Sequence, residues 1–184
     1  MNKVKLRRTL VSIHLYLAAL LAPAFLLMAV TGGLYLADVH GESREIALPV
    51  IQGFRLDADD PAIESKVRRF IDNQDLNVAF DYLRTRGDTI TTRPTTRGHL
   101  RFETKDGVTS AILVKPDLLT AATELHKGHG PRIMRYYGML VGLALFLVVI
   151  GGLVVGLLAP GYRKPTILST IAGTALFAVL ILYG

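Results

Sequence analysis

The chain has one long apolar stretch, then one polar stretch, then two further long apolar stretches. Residues 9–37 contain no Asp, Glu, Lys or Arg, and residues 136–162 and 166–184 contain none either. About 20 apolar residues are enough for a helix to cross the hydrocarbon core of a membrane. The pattern therefore predicts three transmembrane helices, at 9–37, 134–159 and 166–184.

The polar stretch, residues 38–133, has the patterns of a small α+β domain. Residues 62–74 carry Ile63, Val67, Phe70 and Ile71 on one stripe, which predicts an amphipathic helix. Residues 46–51 suggest a short strand. Alternating and β-branched segments between 77 and 116 predict an antiparallel meander of about four strands, in which Pro94 confines its strand to an edge. A last helix is expected over 117–128. The predicted fold class is membrane α-helical with an extramembrane α+β domain.

The charges indicate an orientation. All fifteen acidic residues lie between Asp38 and Glu124, and the net charge of +6 comes from the ends of the apolar stretches. Positive charge next to a span favours the cytoplasm. We therefore expect 1–8 and 160–165 to be cytoplasmic, and 38–133 and the C-terminus to be periplasmic, in a bacterial inner membrane. The charge then reports topology and not a nucleic-acid partner. The basic residues at these ends are Lys3, Lys5, Arg7, Arg8, Arg163 and Lys164.

An N-terminal apolar region can also belong to a cleaved signal peptide. Such a region usually has 7 to 15 residues, and this one is much longer. We therefore expect an uncleaved helix.

His14 is the one ionisable side chain inside the first apolar stretch. Ionisable groups at membrane depth are costly and usually functional. We expect His14 to face a partner helix or a cofactor, because small residues follow it along its helix face. The alternative is a histidine near the cytoplasmic interface that bonds to lipid headgroups. The small residues are Ala18, Ala22, Ala29 and Gly33.

Four further histidines complete the candidate chemistry. His126 and His129 lie near the outer end of the second span, where they could ligate a metal if their segment is helical. His40 and His99 are expected to be solvated. The chain has no cysteine, which excludes thiolate metal sites and thioether-attached haem. We also see no flavin or nicotinamide site, because no nucleotide-binding glycine motif follows a strand.

Haem iron is the simplest metal group for which these histidines could serve as ligands. Because roughly 30 Å of hydrocarbon separates the inner His14 from the outer His126 and His129, one haem cannot join them. Haem with two axial histidines then needs a second histidine at the same depth, and a homodimer supplies it. The second span carries glycines four residues apart, at 138 and 142 and at 152 and 156, which favour close helix packing. A heteromeric partner fits these faces equally well.

Short motifs resemble the PepSY-associated transmembrane family. They are Arg7-Arg8, Ile13-His14-Leu15 and Thr31-Gly32-Gly33 in the first span, followed later by Leu125-His126-x-Gly128. In this chain Ile13 replaces the usual Leu, and Ala18 or Ala19 stands where the family usually has Gly. The resemblance implies that 38–133 is a PepSY-like domain. It also implies that His14 and His126 are axial ligands of haem b.

Some members of that family resemble siderophore-iron reductases. The expected function is therefore a b-type haem protein that passes electrons across the membrane to periplasmic ferric iron or a ferric chelate. Larger members have at least four spans, so three spans imply a homodimer or a subunit of a larger membrane complex. The alternative is a non-redox accessory or regulatory subunit, whose PepSY-like domain binds a peptidase, a transporter or a larger complex.

Overall fold

The computed structural model describes residues 3–50, 53–57, 59–105 and 107–184. The chain divides into two compact units, one of residues 1–24 with 139–184 and the other of residues 25–138. The helices are α1 (Lys3–Leu36), α2 (Ile63–Asn73), α3 (Leu118–His126), α4 (Arg132–Leu158) and α5 (Arg163–Tyr183). The strands are β1 (Ser43–Leu48), β2 (Tyr82–Arg86), β3 (Thr89–Arg93), β4 (His99–Lys105) and β5 (Val108–Pro116).

Helices α1, α4 and α5 are each long and apolar enough to cross a membrane, as the sequence predicted. Each helix begins earlier than the predicted span. They begin at residues 3, 132 and 163, and the predicted spans begin at 9, 134 and 166. The basic residues before a span can join its helix because helical backbone bonds do not require an apolar side chain. Pro165 fits the first turn of α5, since N–H groups there have no partner within the helix.

In the unit of residues 1–24 and 139–184, most large apolar side chains are exposed, as expected for surfaces that contact lipid. Helix α5 has no buried residue. Its three threonines each donate their hydroxyl to the carbonyl four residues earlier, at 2.8 Å. Hydrocarbon offers no other partner for these hydroxyls, so this local bond satisfies them. They are Thr166, Thr170 and Thr174.

The unit of residues 25–138 contains a five-stranded antiparallel sheet in the order β1-β5-β4-β3-β2. The predicted meander is confirmed for β2 to β5. Strand β1 adds to the far side of β5, with Ser43 opposite Pro116 and Leu48 opposite Ala111. The edge position predicted for the Pro94 strand is wrong, because β3 lies between β2 and β4. Pro94 follows the last residue of β3, so its missing N–H removes no bond from that strand.

One face of the sheet packs against α2 to form the core. Val67, Phe70 and Ile71 of α2 are buried, and Leu100 and Phe102 of β4 have no exposed surface. The rings of Phe70 and Phe102 meet edge to face with centroids 5.3 Å apart. The amphipathic stripe predicted from the sequence is therefore confirmed.

Helix α2 begins one residue later than the predicted 62–74. It begins at Ile63, after a turn in which the carboxylate of Asp60 accepts the Ala62 N–H at 2.8 Å. Asp60 also pairs with Lys66 at 2.6 Å. Pro61 therefore precedes the helix and does not occupy its first position.

We expect Phe102→Ala to destabilise the sheet unit by roughly 3–5 kcal/mol, because it leaves a cavity in a fully buried site. Hydrogen exchange of the β4 and β5 amides in the full-length protein would measure the loss. Val108→Ala is the matched control, since Val108 lies on β5 with 71% of its surface exposed. Equal effects of the two substitutions would contradict the assigned core.

Candidate functional site

His126 is held by a short hydrogen-bond chain at the end of α3. Its Nδ1 lies 2.8 Å from the hydroxyl of Thr31 on α1, and that hydroxyl lies 2.6 Å from the Leu27 carbonyl. The carbonyl can only accept, so the Thr31 hydroxyl donates to Leu27 and accepts from His126. In the neutral imidazole of His126, Nδ1 then carries the proton and Nε2 has the free lone pair.

The local sequence explains this arrangement. Thr31 is 2% exposed, and a β-branched hydroxyl in a helix commonly donates to the carbonyl four residues back. Asp117 caps the N-terminus of α3, where its carboxylate accepts the Thr120 N–H at 2.7 Å. It places His126 in its last turn, before Gly128 ends the segment with φ +76°.

Gly32 lets the His126 ring approach the backbone of α1. A Cβ added at Gly32 would lie 3.2 Å from the Cε1 atom of His126, whereas a Cβ at Gly33 would meet nothing within 4 Å. Beside the ring lies a cavity of about 320 Å³, lined by Thr31, Gly32, Tyr35, Thr123, His126 and Lys127. The ammonium group of Lys127 lies 4.8 Å from the centre of the Tyr35 ring. The site thus combines a free imidazole nitrogen, an open space and a cation.

His14 occupies a similar setting in the unit of residues 1–24 and 139–184. A Cβ added at Gly152 of α4 would lie 3.2 Å from its Cε1, and one at Gly151 would lie 3.6 Å from its Nδ1. The expected partner helix is therefore α4 of the same chain. The Nδ1 atom is buried and has no hydrogen-bond partner. Buried polar atoms are rarely left unpaired, so this nitrogen marks an unusual position.

The glycines expected to form a dimer face divide into two groups. Gly152 and Gly156 are occupied within the chain, by His14 and by Thr166 of α5. Gly138 and Gly142 have nothing within 4 Å of an added Cβ, and the same holds for Gly33 on α1. A face that uses both glycine pairs of α4, 138 with 142 and 152 with 156, for a partner chain is thus not available.

His129 has a different partner from His126. Its Nδ1 lies 2.8 Å from Glu124 Oε2, which also accepts the Thr95 hydroxyl at 2.6 Å. Lys127 and Arg93 approach the same carboxylate at 3.5 Å. Burial alone would raise the pKa of Glu124, but the bonds from Thr95 and His129 and the nearby positive charge outweigh it and hold that pKa below its usual value.

The remaining two histidines differ from each other. His40 is exposed as predicted, and its Nδ1 lies 3.1 Å from the Asp38 carbonyl. The prediction for His99 is wrong, because it lies on β4 with 9% of its surface exposed. Its Nδ1 is 2.9 Å from the Arg97 carbonyl, and burial lowers its pKa. The alternation of HLRFET puts His99 on the face opposite Leu100 and Phe102, so no local pattern indicated this burial.

Within the described ranges, no group of three or more His, Asp or Glu side chains is arranged to hold a metal ion. Sequence reasoning identified the histidines but missed the residues that position them, Thr31, Gly32, Gly151 and Gly152. In the sequence, Thr31-Gly32-Gly33 is part of the family motif and Gly152 is one of the packing glycines, and neither pattern points to a histidine. Comparison with protein-family models, with curated proteins and with solved structures finds no match for this chain.

We expect the sheet unit to lose stability as the pH falls below about 6.5. Burial holds the pKa of His99 below its usual value, so the unfolded chain binds this proton more readily than the folded chain does. The stabilisation is complete above the unfolded pKa and is lost on acidification. Amide exchange of β3 to β5 at pH 7 and pH 5, corrected for intrinsic rates, should show this loss reduced in His99→Gln. His40→Gln is the exposed control, and an unchanged pH response in His99→Gln would refute the assignment.

We also expect Gly152→Val to destabilise the purified protein by about 1–3 kcal/mol, because the new side chain must displace the His14 ring. Gly142→Val is the matched control on the same helix. Thermal unfolding in mild detergent would measure both. In a double-mutant cycle, His14→Ala should remove most of the Gly152→Val penalty. Equal penalties at positions 142 and 152 would contradict the contact.

Proposed function

We propose that this protein is a b-type haem membrane protein that passes electrons across the membrane to ferric iron or a ferric chelate. The observation that carries the proposal is the hydrogen-bond chain from His126 through Thr31 to Leu27. It fixes the imidazole in the tautomer whose Nε2 can bind iron, which is how metal-binding histidines are usually oriented. Haem, when bound, supplies one-electron redox chemistry.

The surroundings of His126 suit a flat cofactor with acidic groups. Gly32 removes the side chain that would otherwise displace the imidazole. The cavity of about 320 Å³ lies at the lower end of the range for ligand sites, so part of a bound haem would extend beyond it. Lys127 lines the cavity and would neutralise a carboxylate. The residues present therefore fit a haem site to which this chain would contribute His126 as a ligand.

His14 is the proposed ligand of a second haem. Its ring is only partly exposed, is fixed against Gly151 and Gly152, and has a buried Nδ1 without a partner. Burying the His14 imidazole in an apolar helix costs free energy, and binding of a group to this imidazole would offset that cost. His14 belongs to the unit of residues 1–24 and 139–184, whereas Thr31 and His126 belong to the unit of residues 25–138. The two histidines are therefore assigned to separate haems.

Each proposed haem obtains one histidine from this chain, so a second chain must supply the other axial ligand. Gly33, Gly138 and Gly142 carry no intrachain contact at the Cβ position, and they offer the close approach that helix pairing needs. We propose a homodimer in which at least one of these glycines contacts the partner chain. A larger membrane complex is the other arrangement that would complete the sites.

The direction of electron transfer follows from the proposed orientation. The basic ends of the spans favour a cytoplasmic N-terminus, a periplasmic α+β domain and a bacterial inner membrane. The resemblance to the PepSY-associated family supports an iron acceptor on the periplasmic side. His14 would then hold haem on the cytoplasmic side, where quinol or another subunit would supply electrons, and His126 would hold haem on the side of the acceptor.

The test is the optical spectrum of the full-length protein purified from haem-replete cells, oxidised and then reduced with dithionite. We expect a low-spin haem spectrum, with haem that extracts into acidified organic solvent. His14→Ala and His126→Ala should each remove about half of the absorbance, because they affect separate sites. His40→Ala should remove none. A colourless wild-type protein would reject the haem proposal, and one that still co-purifies with a partner would favour the accessory role.

The positioning residues provide a sharper test of the His126 site. Thr31→Val should shift the reduction potential or reduce the occupancy of one haem only, because it removes the acceptor for Nδ1, and Thr31→Ser should restore the wild-type signal. Second-sphere partners of this kind typically change metal affinity by roughly 10–100-fold. Gly32→Val should lower haem content while Gly33→Val should not. Identical spectra for all four variants would contradict the role assigned to this chain of bonds.

A further inference from the structure

Two arginines at the start of α4 lie near one tyrosine of the sheet. The guanidinium carbons of Arg132 and Arg135 each lie 5.9 Å from the centre of the Tyr82 ring. Tyr82 is the first residue of β2, an edge strand. Arg84, two residues further along β2, is exposed on the same face of the strand as Tyr82. We call Tyr82, Arg84, Arg132 and Arg135 the arginine–tyrosine cluster.

The charges of this cluster are poorly compensated. The Asp81 carboxylate accepts the backbone N–H of Arg132 at 3.0 Å, and the Asp81 carbonyl accepts from its guanidinium at 3.4 Å. Among the residues that the structure describes, Arg84, Arg132 and Arg135 form no ion pair with a carboxylate. The first backbone N–H of α4 is thus already satisfied, and an incoming anion would contact the guanidinium groups.

The position of the cluster along the chain indicates which anion it meets. Arg132 and Arg135 occupy the first turn of a helix that is apolar enough to cross a membrane, and no further charge follows before Arg163. The phosphates of lipid headgroups lie at the ends of the hydrocarbon core, at the level of such a first turn. Tyr136 and Tyr137 are exposed next to them, and exposed tyrosines are typical of that level.

We propose that the arginine–tyrosine cluster binds the phosphate of an anionic phospholipid. Guanidinium groups donate paired hydrogen bonds to phosphate oxygens, and two of them lie 5.9 Å from the centre of the Tyr82 ring. A lipid bound there would contact both the sheet edge and the start of α4, and so would anchor this end of the sheet unit at the membrane surface. The proposal is independent of the haem proposal, because no histidine takes part.

The test uses the full-length protein in mild-detergent micelles containing either phosphatidylglycerol or phosphatidylcholine, with retained lipids counted by native mass spectrometry. Wild-type protein should prefer phosphatidylglycerol. Each of Arg132→Gln and Arg135→Gln should weaken that preference roughly fivefold, as expected for one basic residue at a membrane surface. Arg44→Gln, an exposed arginine on β1 at the opposite edge of the sheet, should leave it unchanged. Tyr82→Leu should also weaken it, without any change of net charge.

Three outcomes would overturn the proposal. The first is an equal preference for both lipids in the wild type, and the second is an unchanged preference in the Arg132→Gln/Arg135→Gln double variant with an intact sheet by hydrogen exchange. The third is complete displacement of the lipid by millimolar inorganic phosphate, which would show a site for free anions. If an acidic peptide binds with the same arginine dependence while neither lipid is preferred, the surface belongs to a protein partner instead.

Discussion

Hydrocarbon supplies no hydrogen-bond partner, and this constraint governs the polar groups of the long apolar helices. The threonines of α5 satisfy their hydroxyls within their own helix, and Thr31 of α1 does the same through the Leu27 carbonyl. Because the Thr31 proton is already committed, its oxygen can only accept from His126, and the tautomer of that histidine follows. Among the described side chains of the long apolar helices, the Nδ1 of His14 is an exception, being buried without a partner. The two histidines therefore differ in hydrogen bonding: the Nδ1 of His126 has a partner and the Nδ1 of His14 has none.

Glycine provides the space in which both imidazoles lie. At Gly32 and at Gly152, an added Cβ would be 3.2 Å from the Cε1 atom of a histidine, whereas at Gly33 and Gly142 it would meet nothing. A methyl group at Gly32 or Gly152 would therefore crowd a histidine ring, whereas one at Gly33 or Gly142 would not. Small residues in membrane helices are usually attributed to the packing of one helix on another. Here two of them accommodate a side chain that can carry chemistry, which leaves fewer glycines for association with a partner.

Glu124 connects the segment that carries His126 to the sheet. Its carboxylate accepts from Thr95, which follows β3, and lies near Arg93 at the end of that strand. The Thr95 N–H also donates to the His129 carbonyl at 3.1 Å. These bonds fix the turn after α3 to the sheet, and hence fix the last turn of the helix on which His126 lies. His129 contributes to this connection through Glu124, whereas His126 is held by Thr31 of α1.

Local patterns in the sequence determined the three apolar helices, the stripe of α2, the hairpins of β2 to β5 and the set of histidines, because each depends on residues close together in the chain. The pairing of β1 with β5 and the interior place of β3 were decided by contacts across many residues, which no local period encodes. The same is true of His99, whose burial depends on what covers its face of the sheet. It also holds for Thr31 and Gly152, which have no chemistry of their own that marks them. Only the fold brings His126 to a hydroxyl 95 residues away and sets His14 against a glycine of another helix, and there a single atom decides whether the ring fits.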